Sequence, residues 1–354
     1  MRPPQPPRAH PQAHEKGSLE MARIGLVLGA GGTVGQAYQA GVLAALEHDL
    51  GWDPRSADVI VGTSAGSVTG TLLRLGVPAS DLAAWAVEAP LSVESGELHS
   101  VLSDDRPQFP PFTLDHFLRP WRLPSPQLLA RLARRPWAFR PSVAAMTLLP
   151  TGRVDLVKHA PGLAAAAPDS WPDGLWVCAA QRADGKRVVF GRAGSPRASL
   201  PQAVNASCAI PGYFAPVAIG GVEYFDGGVH SPSNADVLVH EHLDLVIAVS
   251  PMSAAGGLAK TADGLYRYSV HRRLERELRR LSKQAVTVVR IEPATETLTA
   301  MGVNMMAADR ADAVVQAAFV ETGAYVATTP VITRLAPIDR RFSHHRAPAT
   351  AATN

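Results

Sequence analysis

Two apolar runs, Ile24–Leu28 and Val59–Val61, each stop at a glycine-bounded turn and restart as a helical pattern. This strand–turn–helix unit, met twice, constrains the fold more than any other feature, because buried strands alternating with helices fit a sheet covered by helices. The first helix is expected from about Gly35 to His48, with Tyr38, Val42, Leu43 and Leu46 on one face. The second runs from Ala65 to Leu75, and a third covers Asp81–Glu88 with Ser80 as its N-cap. Later strands are expected at Leu175–Ala180, Arg187–Phe190, Leu243–Val249 and Val286–Ile291, with Ala203–Ala209 as a short helix. Helices at about 264–283 and 307–320 flank the last strand, and there is no internal repeat. The fold class is α/β, a three-layer α/β/α arrangement around a central, mostly parallel sheet.

The 354 residues are 46% hydrophobic and 18% charged, enough apolar material to exclude a wholly disordered chain. No run of about 18 apolar residues exists to span a bilayer. Two cysteines, Cys178 and Cys208, cannot build a disulfide framework. The formal charge of +3 sits in the tails. In residues 1–22, Arg2, Arg8 and Lys16 stand against Glu15 and Glu20; in 335–354, Arg340, Arg341 and Arg346 stand against Asp339. The body is therefore neutral, which excludes a general nucleic-acid binder, since phosphate contacts need concentrated positive charge on the folded part. Residues 1–22 are expected as a disordered leader without a signal-peptide apolar region, with Met21 as an alternative start. Residues 23–334 form one domain, and 335–354 a flexible tail. Within the domain, residues 104–150 are rich in proline and aromatic residues and are expected as an ordered cap.

Three glycine-centred features carry chemistry. The first is Gly29-Ala30-Gly31-Gly32-Thr33-Val34-Gly35, between strand and helix. Glycines let backbone approach a ligand, and helix N-terminal N–H groups favour negative charge. A dinucleotide-binding turn fails here, because the sixth position from Gly29 is Val34 and the second strand runs into Gly62 instead of an acidic residue. An oxyanion hole and a plain tight turn remain. The second feature, Gly62-Thr63-Ser64-Ala65-Gly66, has the strand-before, helix-after context of a nucleophile elbow. The third, Asp226-Gly227-Gly228 after Glu223-Tyr224-Phe225, reads either as a hairpin turn or as a carboxylate at a sheet edge. A serine nucleophile needs a base. His230, His240 and His242 are the histidine candidates, but none sits in a recognisable motif.

Taken together and in this order, these features resemble the patatin-like phospholipase family. Tyr38, Gly41-Val42-Leu43 and the stretch Ala206-Ser207-Cys208-Ala209-Ile210-Pro211-Gly212-Tyr213-Phe214-Ala215-Pro216 strengthen the resemblance, which covers roughly residues 23–250. It implies a serine acyl hydrolase of the phospholipase A or lysophospholipase type, cleaving lipid carboxylic esters through an acyl-enzyme. Ser64 would be the nucleophile, Asp226 the general base without histidine, and the N–H groups of Gly31 and Gly32 the oxyanion hole. Gly29, Gly35, Gly62, Gly66, Gly227 and Gly228 would support these motifs. No metal or cofactor is implied. Two positions depart from the family pattern: Val34 stands where Arg or Lys is usual, and Ala30 where glycine is frequent. The backbone donors survive either change.

Other readings use the same residues. A general carboxylesterase or thioesterase would act on soluble acyl esters. A weakly catalytic, membrane-associated regulatory protein would fit the Val34 departure. A nicotinamide-dependent enzyme is the outside alternative. Residues 264–283 carry Arg267, Arg272, Arg273, Arg276, Arg279, Arg280 and Lys283 against Glu275 and Glu277. Tyr266, Val270, Leu274, Leu278 and Leu281 line one face of that helix. It reads as a solvated surface helix or as a peripheral contact with anionic membrane. The expected location is cytoplasmic, including the inner membrane face. Cys178, Trp52, Trp85 and Trp176 read as core and Cys208 as packed, while Trp121 and Trp137 divide between an acyl pocket and plain packing.

Overall fold

The computed structural model describes residues 21–95, 98, 130, 133, 134, 151–156, 167, 168, 170–255 and 261–342. Most of the leader, nearly all of the 104–150 insert and residues 343–354 lie outside the described residues, as do the expectations for Trp121 and Trp137.

The strands are β1 Ile24–Leu28, β2 Val59–Thr63, β3 Leu175–Gln181, β4 Arg187–Phe190, β5 Val217–Ile219, β6 Val222–Asp226, β7 Leu245–Val249 and β8 Thr287–Ile291. They form one sheet in the order β5-β6-β3-β2-β1-β7-β8, with β4 pairing β3 off this path. β3, β2, β1, β7 and β8 run parallel; β4, β5 and β6 supply the antiparallel pairs. The sheet is therefore mostly parallel at its centre, as the alternating strand and helix pattern requires.

Among the described residues the helices are α1 Gly32–Leu50, α2 Ala65–Arg74, α3 Ala79–Ala86, α4 Leu200–Cys208, α5 Ala262–Ser282, α6 Thr295–Met301, α7 Ala311–Val326 and α8 Thr329–Phe342. Every residue of β1, β2 and β7 is buried, because helices cover both faces. The period of two sorts the side chains between two cores. Ile24, Leu26, Leu28, Ile60, Leu245 and Ile247 join the larger cluster, packed with α1, α2, α7 and α8. Val27, Val59, Val61, Val246 and Ala248 join the smaller one, closed by Leu274, Leu278 and Leu281 of α5. Trp52 and Cys178 are core, as expected.

Several boundaries differ from the sequence reading. α1 begins at Gly32, not Gly35, so the glycine turn is itself the first helical turn. α3 begins at Ala79 behind Pro78, whose ring fixes φ at −68°, so Ser80 is inside the helix and not its cap. Asp81 instead accepts from Ser92 N and from the hydroxyls of Ser92 and Ser95. The helix expected at about 307–320 is α7, shifted to Ala311–Val326. The tail expected to be flexible from residue 335 continues as α8 to Phe342 despite Pro337. Val331, Leu335 and Ile338 recur at helical spacing and are buried in the larger core, which holds that helix in place.

Candidate active site

β2 ends at Thr63, and Ser64 takes φ 52°, ψ −122° before α2 begins. A left-handed conformation costs a side-chain-bearing residue about 1–3 kcal/mol, so its surroundings must enforce it. They do so through the backbone. Ser64 N donates to Ser207 Oγ at 2.9 Å, and Ser207 Oγ donates to Cys178 O at 2.7 Å. Ser64 O accepts from Ser67 N and Ser67 Oγ, each at 2.7 Å. The flanking Gly62 and Gly66 are needed for close approach: a Cβ on Gly66 would overlap the carbonyl oxygen of Leu28, where α2 crosses the end of β1. The serine side chain is thus lifted to the carboxyl end of the sheet while its backbone is fully engaged.

Asp226 ends β6, antiparallel to β3 and opposite Ala179. Because Thr63 lies opposite Cys178 on the other side of β3, the two motifs come to the same level of the sheet. The Asp226 carboxyl lies beside the Ser64 hydroxyl, which favours its charged form, and its Oδ1 accepts from Gly228 N at 2.7 Å. Asp226 N donates to Ala209 O, and the close contact of Gly227 with Cys178 O leaves no space for a side chain. Burial pushes the Asp226 carboxyl up to about 6, partly offset by the neighbouring Ser64 hydroxyl and the bond from Gly228. A carboxylate so raised is a better proton acceptor near neutral pH than an ordinary aspartate.

The glycine turn after β1 closes the third side. Gly29 N donates to Val249 O and Ala30 N to Pro232 O, while Val34 N reaches Met305 O and Gly35 N reaches Gly31 O. Among the described residues, no group accepts from the N–H of Gly31, Gly32 or Thr33. These N–H groups begin the 19-residue helix α1, whose aligned peptide dipoles favour negative charge there. Gly32 has φ 60°, and a Cβ on it would lie 2.5 Å from Met305 O.

Gly31, Gly32, Ser64, Asp226 and Gly228 share one cavity of about 510 Å³. Its other walls include Ile210, Tyr213, Met252, Tyr266, Met305 and Met306, an apolar and largely flexible set. Asp226 is the one formally charged side chain among the described lining residues. The sequence-expected residues therefore come together, with Gly29, Gly35, Gly62, Gly66 and Gly227 shaping the backbone behind them. Val34 does not line the cavity: it is 1% exposed and packs in the larger core. Ala30 does line it. His230, His240 and His242 are absent from the lining, and His230 Nδ1 lies 3.4 Å from Gly185 O. Cys208 Sγ lies 3.7 Å from Ser67 Oγ, but burial first, and the charge of Asp226 second, push its thiol up to about 12. Among the described residues, no cluster of three His, Cys, Asp or Glu side chains is placed to hold a metal.

Several contributors escaped the sequence reading. Ser207 holds the elbow, and Gln39 spans from Gly29 O at 2.6 Å to Thr69 Oγ1 at 2.7 Å. Asn234 sits behind the two acidic and nucleophilic turns, and Tyr266 turns from the helix face expected to be core into the cavity wall. Tyr266 is 43% exposed, whereas Val270, Leu274, Leu278 and Leu281 are buried as expected.

A family model described as patatin-like phospholipase matches residues 26–239, more than half of the chain. No curated protein matches. Among solved structures, VipD from Legionella pneumophila is similar at 14% identity and a TM-score of 0.38, covering 91% of this chain and 67% of that one. The type III effector protein ExoU is similar at 16% identity and a TM-score of 0.31, over 91% of this chain and 60% of that one. The chain thus spans well under the full length of both.

Proposed function

We propose that this chain, which belongs to the patatin-like phospholipase family, hydrolyses lipid carboxylic esters through Ser64 and Asp226. Family membership supports lipid acyl hydrolysis; the assignment of the two residues and of the phospholipase A or lysophospholipase type is our reading. The observation that carries it is the juxtaposition of the buried Ser64 hydroxyl and Asp226 carboxylate in one largely apolar cavity.

In this mechanism Asp226 accepts the Ser64 proton as the oxygen attacks the ester carbonyl. The tetrahedral oxyanion is held by the N–H groups of Gly31 and Gly32. Collapse breaks the ester C–O bond, and the proton on Asp226 passes to the leaving alcohol. Water then gives a proton to Asp226, attacks the acyl-serine and releases the carboxylic acid, returning the proton to Ser64. One oxyanion donor is worth about 2.7–4 kcal/mol, and the two backbone donors do not depend on the side chain of Val34, which is packed in the core. The apolar walls would take the acyl chain, with methionines adjusting to its shape.

A second reading is hydrolysis of uncharged or soluble acyl esters, and one observation favours it: no described lining residue carries a cation to meet a phosphate. A panel of wild type and Ser64→Ala, from short nitrophenyl esters through lysolipids and triacylglycerol to diacyl phospholipid, tests both. We expect turnover of long-chain esters by wild type and a loss of at least about 10³-fold in the variant. Equal rates for the two proteins would remove Ser64 from the mechanism. Activity on short esters but not on phospholipid would select the second reading.

Peripheral membrane contact belongs to the same proposal, in a reduced form. Arg267 is buried, bonded to Asp263 and Pro251 O; Arg273 pairs with Glu277, and Arg280 with Asp236. Arg272 and Arg279 are half-exposed but share Glu275. Beside the cavity, exposed Leu265, Tyr266 and Val303 offer apolar contact instead. Among the described residues, no helix is long and apolar enough to cross a membrane. Co-sedimentation with anionic vesicles should weaken on Leu265→Ser with Val303→Ser; unchanged binding would reject the contact.

A further inference from the structure

The sheet order separates the two strands that carry the reacting groups. β2 bears Ser64 and β6 bears Asp226, but β3 lies between them, so no ladder hydrogen bond ties one to the other. Two strand spacings amount to roughly 10 Å, and the Ser64 to Asp226 contact must be set by whatever joins their ends. One side chain does so directly. Asn234 Nδ2 donates to Thr63 Oγ1 at 3.1 Å, to Ser231 O at 2.6 Å and, more weakly, to Gly227 O at 3.4 Å. Thr63 immediately precedes Ser64, and Gly227 immediately follows Asp226.

We infer that Asn234 is a positioning residue for this reaction, a buried clamp that fixes Ser64 and Asp226 within proton-transfer reach. The inference rests on the Ser64 and Asp226 reading above. The clamp is itself held from every side. Asn234 is fully buried and sits at φ 52°, a conformation that asparagine tolerates better than most residues. Its Oδ1 accepts from Arg187 Nη1 at 3.2 Å, which sets which end of the amide faces Thr63. Its loop is anchored by Glu277 of α5, which accepts from Ser231 Oγ at 2.7 Å, Ser233 Oγ at 2.6 Å and Ala235 N at 3.0 Å. Glu277 thus gives the charged helix a role unrelated to membranes: it braces the turn beyond Asp226. A catalytic pair loosened by a fraction of an ångström to 1 Å loses rate steeply, because proton transfer and attack both need the contact geometry.

The test uses Thr63→Val, Thr63→Ser, Asn234→Asp and Asn234→Gly in the full chain. Valine keeps the shape of threonine but accepts no hydrogen bond; glycine keeps the left-handed backbone; aspartate keeps the shape but cannot donate. Measured quantities are kcat and KM on a nitrophenyl ester, the fluorophosphonate labelling rate of Ser64, the pH profile and the thermal midpoint. Thr63→Val and Asn234→Asp should each lower kcat by about tenfold to hundredfold with little change in KM. The double variant should be no slower than the worse single, since the bond to Thr63 is common to both changes. Thr63→Ser should restore the wild-type rate. The acid limb should also move to higher pH, because a Ser64 hydroxyl held less closely favours the charged Asp226 carboxylate less. Cys208 and Tyr266, the other titratable groups that sense Asp226, are raised and stay protonated in that range. Where an Asn234 variant does not fold, Thr63→Val decides alone. A folded Thr63→Val with wild-type kcat and pH profile overturns the clamp. If Ser64→Ala retains full activity, the dyad reading has failed instead, and the two failures are told apart.

Discussion

The turn after β1 and the turn after β2 are adjacent and built on one plan, yet they offer opposite chemistry. Each ends a fully buried parallel strand, passes through a positive φ and opens a helix. After β1 the positive φ falls on Gly32, where Met305 O excludes a side chain, so the turn presents backbone only. After β2 it falls on Ser64, whose hydroxyl is presented while its own N–H and C=O are bonded to Ser207 and Ser67. The first turn exposes donors by leaving them unpaired; the second exposes an oxygen by pairing everything around it. Which residue bears the left-handed conformation decides whether a strand–helix turn supplies an electrostatic cradle or a nucleophile.

The sharpest break in this comparison is to give the first turn a side chain. Gly32→Ala keeps the N–H but must displace the turn, since its Cβ would meet Met305 O. It should lower kcat by about 10²–10³-fold, the usual cost of a lost oxyanion donor, with Ser64 still present. A rate within twofold of wild type would remove the turn from the reaction. A change of pH separates the turns without mutation, since backbone N–H groups do not titrate. Asp226 must be a carboxylate to act as base, and its carboxyl is raised to about 6 by burial. kcat/KM should therefore fall about tenfold per pH unit below that value and level off above it. A profile still flat down to pH 4 would mean another base.

The same raised value has a signed consequence for stability. The folded protein holds the Asp226 proton more tightly than the unfolded chain, so this group's contribution is fully favourable below the unfolded value near 3.9 and is lost as pH rises through about 6. Asp226→Asn should then stabilise the fold at pH 8 by on the order of 1–3 kcal/mol, and much less at pH 4, in paired denaturant melts. The smallest effect tests the support under the second turn. Ser67→Ala removes the hydroxyl bond to Ser64 O and should cost about 1 kcal/mol, with only a modest change in rate.

The two turns were legible because their signals are local: an all-apolar strand, glycines at fixed offsets and a helical pattern, all within a dozen residues. Asp226 was legible as chemistry only through its resemblance to a family, since Asp-Gly-Gly after a short strand is equally a hairpin turn. What holds the pair was not legible. Asn234 reaches Thr63 across 171 residues, and Ser207 reaches Ser64 across 143, so nothing near either residue announces the contact. The partners of the charged helix were hidden in the same way. Counted along the chain its cations look like a single basic stripe, but Arg267 is buried against Asp263, Arg273 pairs with Glu277, and the exposed Arg280 pairs with Asp236. α8 was hidden by Pro337, which reads as a helix stop until Leu335 and Ile338 are seen buried beside it.

The central claim is that Ser64 is activated by Asp226. The most direct measurement is labelling with a fluorophosphonate, followed by peptide mapping of wild type, Asp226→Asn and Ser64→Ala at pH 8. A single adduct on Ser64, formed at least about 10²-fold more slowly in Asp226→Asn and absent in Ser64→Ala, is the predicted result. An adduct elsewhere, or labelling of Ser64 at an unchanged rate in Asp226→Asn, would contradict it.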